Sequence, residues 1–188
     1  LDAVGNTANR TTTELWTFPQ LVDPPIGPIT MTPAVRFGRV YFGTGGGAAV
    51  GNRTFYAIDE ITQTPDWTFV APEPFNTSSP AVIPAGDINY TASPGGPRNG
   101  MPNTVFVASV DSVVRAINAE NGALIWQTSE LNSTAVASLT FTYLRVFNQG
   151  GLTLNPPGAP VIMVPTIDGN FNALFAHFVD QNSSGGRF

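Results

Sequence analysis

The sequence contains an internal repeat, and this feature constrains the fold more than any other. Ala57-Ile58-Asp59 is followed by Trp67, ten residues after the alanine, and Ala116-Ile117-Asn118 is followed by Trp126 at the same spacing. An apolar run of β-type residues precedes each motif, at residues 39–44 and 104–109. Because a fixed period marks a chain built from copies of one unit, we expect a fold assembled from similar β-sheets.

Three copies of the unit can be aligned on their strands. The alanines of the third strand correspond in all copies and are Ala57, Ala116 and Ala173, at spacings of 59 and 57 residues. The first three strands are predicted at residues 32–35, 39–44 and 53–58 in the first copy, 79–82, 104–109 and 112–117 in the second, and 133–136, 160–166 and 170–175 in the third. Asp168-Gly169 supports the last pair, because Asp-Gly is a strong hairpin signal.

The fourth strand is placed differently in the three copies. It is predicted at residues 66–70 and 123–128 in the first two, whereas Ser183 stands where the third copy requires a tryptophan. A matching stretch occurs near the beginning of the chain, where residues 14–18 read Glu-Leu-Trp-Thr-Phe and residues 66–69 read Asp-Trp-Thr-Phe. We therefore predict that residues 14–18 form a fourth strand that is distant in sequence from the unit it completes.

The composition restricts the classes of function. Only 11% of the residues are charged, against roughly 25% in typical domains, and the net charge is −5. Nucleic acid is therefore excluded as a partner, because phosphate binding needs a cluster of positive charge. No apolar run approaches the ~20 residues of a membrane span. The absence of cysteine excludes disulfides, thiolate metal sites and cysteine nucleophiles. Since the chain starts at Leu1, we expect a mature form or a piece of a longer protein.

Sequons for N-glycosylation are more frequent than the composition explains. The chain has six Asn-x-Ser/Thr sequences, where chance gives about two or three. Most of them fall in stretches rich in Gly, Pro and Asn that are typical of loops, where a glycan can be accommodated. We therefore expect a secreted glycoprotein modified at Asn9, Asn52, Asn76, Asn89, Asn132 and Asn182.

The repeat resembles the PQQ-type, or quinoprotein-like, β-propeller repeat, whose blades carry the pattern A-x-D-x-x-x-G-x-x-x-W. Residues 116–126 match this pattern with Asn118 in place of the aspartate. Residues 57–67 keep the aspartate but have Gln63 in place of the glycine, and the third copy keeps only Ala173. The resemblance extends over roughly residues 14–178.

The resemblance implies an all-β fold of about three four-stranded antiparallel propeller-type blades in a single repeat domain over residues 1–188. Three blades do not close a propeller, because closed propellers typically have four to eight. The strand at residues 14–18 is therefore expected to complete the last blade, in its own chain or in a neighbouring one. The blade-like units are expected at approximately residues 30–70, 78–129 and 133–178.

The tryptophans are expected to be structural. An indole on the outer strand of a blade would cover the neighbouring blade, and a buried indole needs a partner for its N–H. The candidate residues for blade docking and assembly are Trp16, Trp67 and Trp126, together with Leu15 and Phe18.

No catalytic residue, cofactor or metal is expected. Family enzymes that bind the quinone cofactor also carry a calcium site, acidic catalytic residues and an adjacent cysteine pair, and this chain has no cysteine. The only histidine, His177, is close in sequence to Asp180 and Ser183, but no nucleophile-elbow motif accompanies them. Asp59-Glu60 is the only adjacent pair of carboxylates, so a hard-cation site with loop carbonyls is the remaining metal alternative.

The function expected from these features is that of a non-catalytic, secreted and glycosylated β-propeller-like structural protein outside the cell. Strand addition to a neighbouring copy would build a filament, sheath or surface layer, because an exposed sheet edge binds another strand through backbone hydrogen bonds. The expected partners are other copies or the remainder of a longer chain, and N-linked glycans. Two alternatives are a fragment of a quinoprotein-type dehydrogenase and a propeller scaffold that binds a protein or carbohydrate.

Overall fold

The structure is a computed structural model, and it describes residues 14–19, 26–45, 53–75, 78–88, 101–144 and 159–176. These residues contain eleven β-strands and one short helix, and the strands form three antiparallel sheets in chain order. We call the sheets blades 1, 2 and 3. The predicted all-β class with propeller-type antiparallel blades is therefore confirmed.

Among the residues that the structure describes, blades 1 and 2 have four strands each and blade 3 has three. In blade 1 the strands lie in the order β1 (Ala34–Arg36), β2 (Arg39–Gly43), β3 (Thr54–Asp59) and β4 (Pro65–Val70). In blade 2 the order is β5 (Ala81–Ile83), β6 (Thr104–Ala108), β7 (Val114–Asn118) and β8 (Leu124–Gln127), and helix α1 (Ala85–Ile88) follows β5. In blade 3 the order is β9 (Thr140–Leu144), β10 (Ala159–Pro165) and β11 (Phe171–Phe175).

The aligned alanines occupy the same register in all three blades. Ala57 stands opposite Tyr41, Ala116 opposite Phe106 and Ala173 opposite Met163. The pairing between the third and fourth strands shifts by one residue directly after the alanine in both blades 1 and 2. The sequence alignment of the three copies therefore holds at the level of strand pairing.

The blades pack face to face, with blade 2 in the middle. Its Val105, Val107 and Ile117 join the hydrophobic core shared with blade 1, whereas Phe106 and Ala116 join the core shared with blade 3. This division follows from the period of two in a strand, because successive side chains point to opposite faces. The inner strands β1, β5 and β9 contact one another in succession, as expected for blades arranged around an axis.

The first strand of the third copy is not where the sequence predicted it. Residues 133–136 form no strand and contribute only the isolated bridge of Ala135 to Thr166. The first strand of blade 3 is β9, which pairs with β10. Ala135 is instead a buried residue of the core between blades 2 and 3. Ala135 is the one residue of this run that is buried, and Val136 is exposed.

Residues 14–18 also differ from the prediction, because they belong to no sheet in the chain on its own. Trp16 and Phe18 pack against the core of blade 1. The segment packs against a face of that sheet, where it meets side chains. Backbone pairing with a strand would instead require an edge of the sheet. Completion of blade 3 within the same chain is therefore not observed among the described residues, and completion in a neighbouring copy stays a prediction.

Candidate functional site

The tryptophans of the repeat lie on the outer strands of blades 1 and 2. Trp67 on β4 stands opposite Ala57 on β3, and Trp126 on β8 stands opposite Ala116 on β7. Because the opposing side chain is only a methyl group, each indole can lie over the face of its own sheet. The ring centroids of Trp67 and Tyr41 are 5.9 Å apart, within the range of favourable aromatic pairs.

Each indole N–H donates a hydrogen bond to the next blade. Trp67 Nε1 donates to the carbonyl of Ala119 at 3.0 Å, and Trp126 Nε1 donates to the carbonyl of Ala176 at 3.3 Å. Ala119 and Ala176 are equivalent, because each comes three residues after the aligned alanine of its blade. The structure therefore places both tryptophans at the contact between consecutive blades.

The glycine of the repeat motif makes room for the tryptophan of the preceding blade. Gly122 has a φ of 73°, and a Cβ at this position would lie 2.7 Å from Cε3 of Trp67. Blade 1 has Gln63 at the equivalent position, with a φ of 62°. Blade 1 therefore carries a side chain where blade 2 leaves space for an indole ring.

The aspartate or asparagine of the motif closes the turn between the third and fourth strands. Asp59 Oδ1 accepts hydrogen bonds from the backbone N–H groups of Ile61, at 2.8 Å, and Thr62, at 2.7 Å. Asn118 Oδ1 accepts one from the N–H of Glu120 at 2.8 Å. The bond from Thr62, followed by that from Ile61, holds the pKa of Asp59 below its usual value. The contacts of Asp59 are therefore those of a turn residue.

One face of blade 3 carries side chains that are exposed where the other two blades bury their equivalents. The equivalent residues Phe55 in blade 1 and Val114 in blade 2 are fully buried, whereas Phe171 on β11 is 70% exposed. Ala173 is exposed on the same face, and Phe175 is 39% exposed. We call Phe171 and Ala173 the open face of blade 3. It corresponds to the faces that Trp67 and Trp126 cover in the other two blades.

The opposite end of the array is covered by the N-terminal segment. The Phe18 ring lies 6.2 Å from that of Phe42 on β2 and 5.8 Å from that of Tyr56 on β3. Phe42 and Tyr56 are on the face of blade 1 that points away from blade 2. The side chain of Trp16 is half-buried against the same core, and Leu15 is 60% exposed. The five docking candidates therefore divide between two interblade contacts and one end of the array.

Most of the predicted glycosylation sites lie outside the described residues. These are Asn9, Asn52, Asn76, Asn89 and Asn182. Asn132 is described, and it is exposed in the segment between β8 and β9. An exposed sequon in an irregular segment is accessible to modification, so glycosylation at Asn132 stays a prediction with compatible geometry.

The residues considered for catalysis are not brought together in the part of the chain that the structure describes. His177, Asp180 and Ser183 lie outside it. Within the described ranges, no group of three or more His, Asp or Glu side chains is arranged to hold a metal ion. No helix among these residues is long and apolar enough to cross a membrane.

A buried ion pair in blade 2 was missed by the sequence analysis. Arg115 on β7 is 2% exposed, and its Nη2 lies 2.7 Å from Oδ2 of Asp111 in the β6–β7 turn. The hydroxyl of Ser109 donates to Oδ1 of the same carboxylate at 2.5 Å. Burial acts to raise the pKa of Asp111, and the hydrogen bonds from Arg115 and Ser109 outweigh it, so that the pKa is lowered.

A signal for this turn was present in the repeat. Thr166 and Asp168 in blade 3 occupy the positions of Ser109 and Asp111, and the Thr166 hydroxyl donates to Asp168 Oδ1 at 2.6 Å. The recurrence of a hydroxyl residue two positions before an aspartate therefore marks the turn between second and third strands. The buried arginine has no counterpart, because Asn172 stands at its position in blade 3.

No protein-family model matches the sequence, and no curated protein matches it. Solved structures similar to the chain include BamB from Moraxella catarrhalis, at 14% identity and a TM-score of 0.47, covering 80% of this chain and 35% of that one. Sqt1 from Saccharomyces cerevisiae has 10% identity and a TM-score of 0.48, covering 76% of this chain and 29% of that one.

A quinohemoprotein alcohol dehydrogenase from Comamonas testosteroni has 15% identity and a TM-score of 0.36, covering 80% of this chain and 21% of that one. The chain thus spans about a third or less of the length of these structures. Because all three TM-scores are below 0.5, the propeller-type fold rests on the motif and on the sheet topology of the chain itself. The assignment to a non-enzymatic branch stays a prediction.

Proposed function

We propose that this chain is a non-catalytic propeller-type scaffold that associates with further copies of itself through the open face of blade 3. One observation carries the proposal. Phe55 and Val114 are fully buried at the positions where Phe171 is 70% exposed. The repeat thus presents the same surface three times, and only the third is left uncovered among the described residues.

The corresponding faces of blades 1 and 2 indicate what kind of surface could cover the open face of blade 3. Blade 2 covers the corresponding face of blade 1, and blade 3 covers that of blade 2. A further propeller-type blade therefore has the complementary shape, and a second copy of the chain supplies one. Burying an exposed phenylalanine side chain contributes about 1.5–3 kcal/mol, so Phe171 favours association by about this amount before the cost of immobilisation.

A head-to-tail arrangement follows from the difference between the two ends. The open face belongs to blade 3, whereas the outward face of blade 1 already carries Trp16 and Phe18. Such an unlike contact produces a ring if its rotation closes and a filament if it does not. We place this assembly outside the cell, because the excess of sequons and the exposed Asn132 fit a secreted glycoprotein.

Sedimentation velocity over a range of protein concentrations tests the self-association. The wild-type chain is expected to form oligomers whose fraction rises with concentration, and Phe171→Ser is expected to weaken the association at least tenfold. Leu124→Ser is the matched control, because Leu124 is 43% exposed on β8 of the middle blade, away from both ends of the array. A wild-type monomer at all concentrations would overturn the proposal.

Mass spectrometry of the chain secreted from glycosylating cells tests the proposed location. A glycan at Asn132 is expected. A secreted chain with every sequon unmodified would contradict the glycoprotein part of the proposal and leave the association result to be judged separately.

A further inference from the structure

We infer that residues 14–18 of one copy add as the missing fourth strand to β11 of a second copy, antiparallel, with Trp16 opposite Ala173. The inference rests on the self-association proposed above and specifies its contact. It joins two features that lie apart in the described part of the chain, namely an aromatic segment that pairs with no described strand and a blade with three described strands.

The segment already has the side-chain alternation of an outer strand. Trp16 and Phe18 are half-buried, whereas Leu15 and Thr17 are exposed. Residues 66–69 of β4, which have nearly the same sequence, alternate in the same way: Trp67 is buried and Phe69 half-buried, with exposed neighbours. With a period of two, alternate side chains of the segment lie on one face and can pack against a core. The backbone N–H and C=O groups then point sideways, in the direction in which strands of a sheet pair.

The segment also lies on the correct face of the correct blade. Trp67, on the outer strand of blade 1, packs on the face of blade 2 that carries Val107. The equivalent of Val107 in blade 1 is Phe42, and the ring of Phe18 lies 6.2 Å from that of Phe42. Residues 14–18 thus pack against the face of blade 1 that is equivalent to the face of blade 2 against which β4 packs. This is the face that a preceding blade would cover.

The edge that this strand would pair with is β11. The equivalent strands β3 and β7 each pair with a fourth strand, whereas β11 pairs only with β10 among the described residues. An edge strand of this kind binds an added strand through its backbone, and the alternate side chains give specificity. Blade 3 of one copy then becomes the blade that precedes blade 1 of the next.

The register follows from blade 1. There, Phe55 pairs with Phe69, Tyr56 with Thr68, and Ala57 with Trp67. The transferred register places Phe171 opposite Phe18, Asn172 opposite Thr17 and Ala173 opposite Trp16. In this register the indole of Trp16 lies over Met163 as Trp67 lies beside Tyr41, and it covers the open face of blade 3.

The contact cannot be identical to the one between blades 1 and 2. The indole of Trp67 lies where Gly122 leaves space, and blade 1 has Gln63 at that position. In the single chain Trp16 is half-buried, whereas Trp67 is buried. The contact between copies therefore depends more on strand addition and on Phe18 than on the tryptophan contact used inside the chain.

Disulfide cross-linking between two single-cysteine variants tests the register, and the absence of native cysteine makes every cross-link assignable. Opposed residues of an antiparallel pair have Cα atoms about 4.5–5.5 Å apart, inside the range that a disulfide spans. Mixing Thr17→Cys with Asn172→Cys and oxidising mildly is expected to give a cross-linked dimer. The same Thr17→Cys chain mixed with Ala173→Cys is the control, because position 173 points to the other face of the strand.

Five outcomes separate the two proposals. A dimer from the first mixture, with at least tenfold less from the control, supports the strand addition. Equal cross-linking in both mixtures overturns the register. The double variant Thr17→Cys/Asn172→Cys is oxidised on its own as a further control, and a cross-link that forms only within one chain overturns the contact between copies. If no cross-link forms while sedimentation still shows association, the strand addition fails and the scaffold proposal stands; if the chain is also monomeric, both fail.

Discussion

The indole of Trp67 and the backbone of Gly122 fit each other across the boundary between blades 1 and 2. A Cβ on Gly122 would lie 2.7 Å from Cε3 of the indole, and the φ of 73° at Gly122 is one that side chains disfavour. The two residues come from different copies of the repeat. In the second copy the glycine and the tryptophan of the motif therefore contact different neighbours, since Gly122 contacts Trp67 of blade 1 and Trp126 donates its hydrogen bond to blade 3.

Replacing Gly122 is expected to loosen this boundary. Gly122→Ala should lower the free energy of unfolding by about 2–4 kcal/mol, because it adds overpacking against Trp67 to the strain of a positive φ. Gly169→Ala is the matched control, because Gly169 has a φ of 82° and nothing lies within 4 Å of its hypothetical Cβ. The control should cost about 1 kcal/mol through backbone strain alone. Urea denaturation measures both values.

A double-mutant cycle identifies the cause of the difference. In a Trp67→Ala background, Gly122→Ala should cost no more than Gly169→Ala, because the clashing ring is gone. If Gly122→Ala remained the more costly change without the indole, the close approach to Trp67 would not explain the glycine.

The two indole hydrogen bonds should differ in their contribution to stability. Trp67→Phe is expected to lower the free energy of unfolding by about 2 kcal/mol, because a buried ring loses volume and its 3.0 Å hydrogen bond. Trp126→Phe should cost about half as much, because Trp126 is only half-buried and its hydrogen bond is 3.3 Å long. The Ala119 carbonyl keeps a partner in the first variant, since the Tyr41 hydroxyl also donates to it at 3.1 Å.

Thermal unfolding of the two variants, with Tyr41→Phe as a third, measures this ranking. Combining Trp67→Phe with Tyr41→Phe should cost more than the sum of the single changes, because only the double variant leaves the Ala119 carbonyl without either donor. Additive losses would mean that this carbonyl is satisfied in another way.

The strands show how much of the fold can be predicted from the sequence. The alanine-to-tryptophan spacing locates β3, β4, β7 and β8, because register, turn and indole packing all depend on the same few positions. The strand predicted at residues 133–136 was wrong because a short run of such residues occurs both in strands and in loops that contact a core. β9 was missed because it carries no motif, and only its pairing with β10 makes it a strand.

Only part of the candidate site could be predicted, because several of its contacts depend on residues that are distant in sequence. The sequence identified the tryptophans, but the acceptors of their N–H groups are backbone carbonyls that have no signature in side-chain identity. Arg115 was missed because an arginine in a strand usually lies on the surface, and its burial depends on Asp111 across the turn. The exposure of Phe171 depends on which other surfaces pack against blade 3, and no local sequence pattern encodes this.

The ion pair of Asp111 and Arg115 should make stability depend on pH. The pKa of Asp111 is lowered in the folded chain, so its stabilising effect is fully present above its unfolded value of about 3.9 and is lost as the pH falls through the lower folded value. The free energy of unfolding of the wild-type chain should therefore decrease below about pH 4 more steeply than that of Asp111→Asn.

The same pair should show non-additive mutations at pH 7. Asp111→Asn is expected to cost about 3 kcal/mol, because it leaves the buried guanidinium of Arg115 without its counter-charge. The double variant Asp111→Asn/Arg115→Met should be more stable than the single variant, since it removes the uncompensated charge. A double variant less stable than Asp111→Asn would mean that Arg115 is held by other contacts.

Gln63 marks the point at which blade 1 departs from the motif, and replacing it with glycine should restore the missing space. Gln63→Gly is expected to raise the free energy of unfolding by about 0.5–1 kcal/mol, because the left-handed φ of 62° no longer strains a side chain and this gain exceeds the entropy cost of glycine.

An additional gain in the free energy of unfolding is expected if Trp16 then moves over position 63 as Trp67 lies over position 122. Comparing Gln63→Gly in the wild-type and Trp16→Phe backgrounds separates the two effects, and the tryptophan emission should shift to shorter wavelength only when Trp16 is present. An equal gain in both backgrounds, with no shift in emission, would show that only backbone strain was relieved. Position 63 of blade 1 would then not be able to accept Trp16 as Gly122 accepts Trp67.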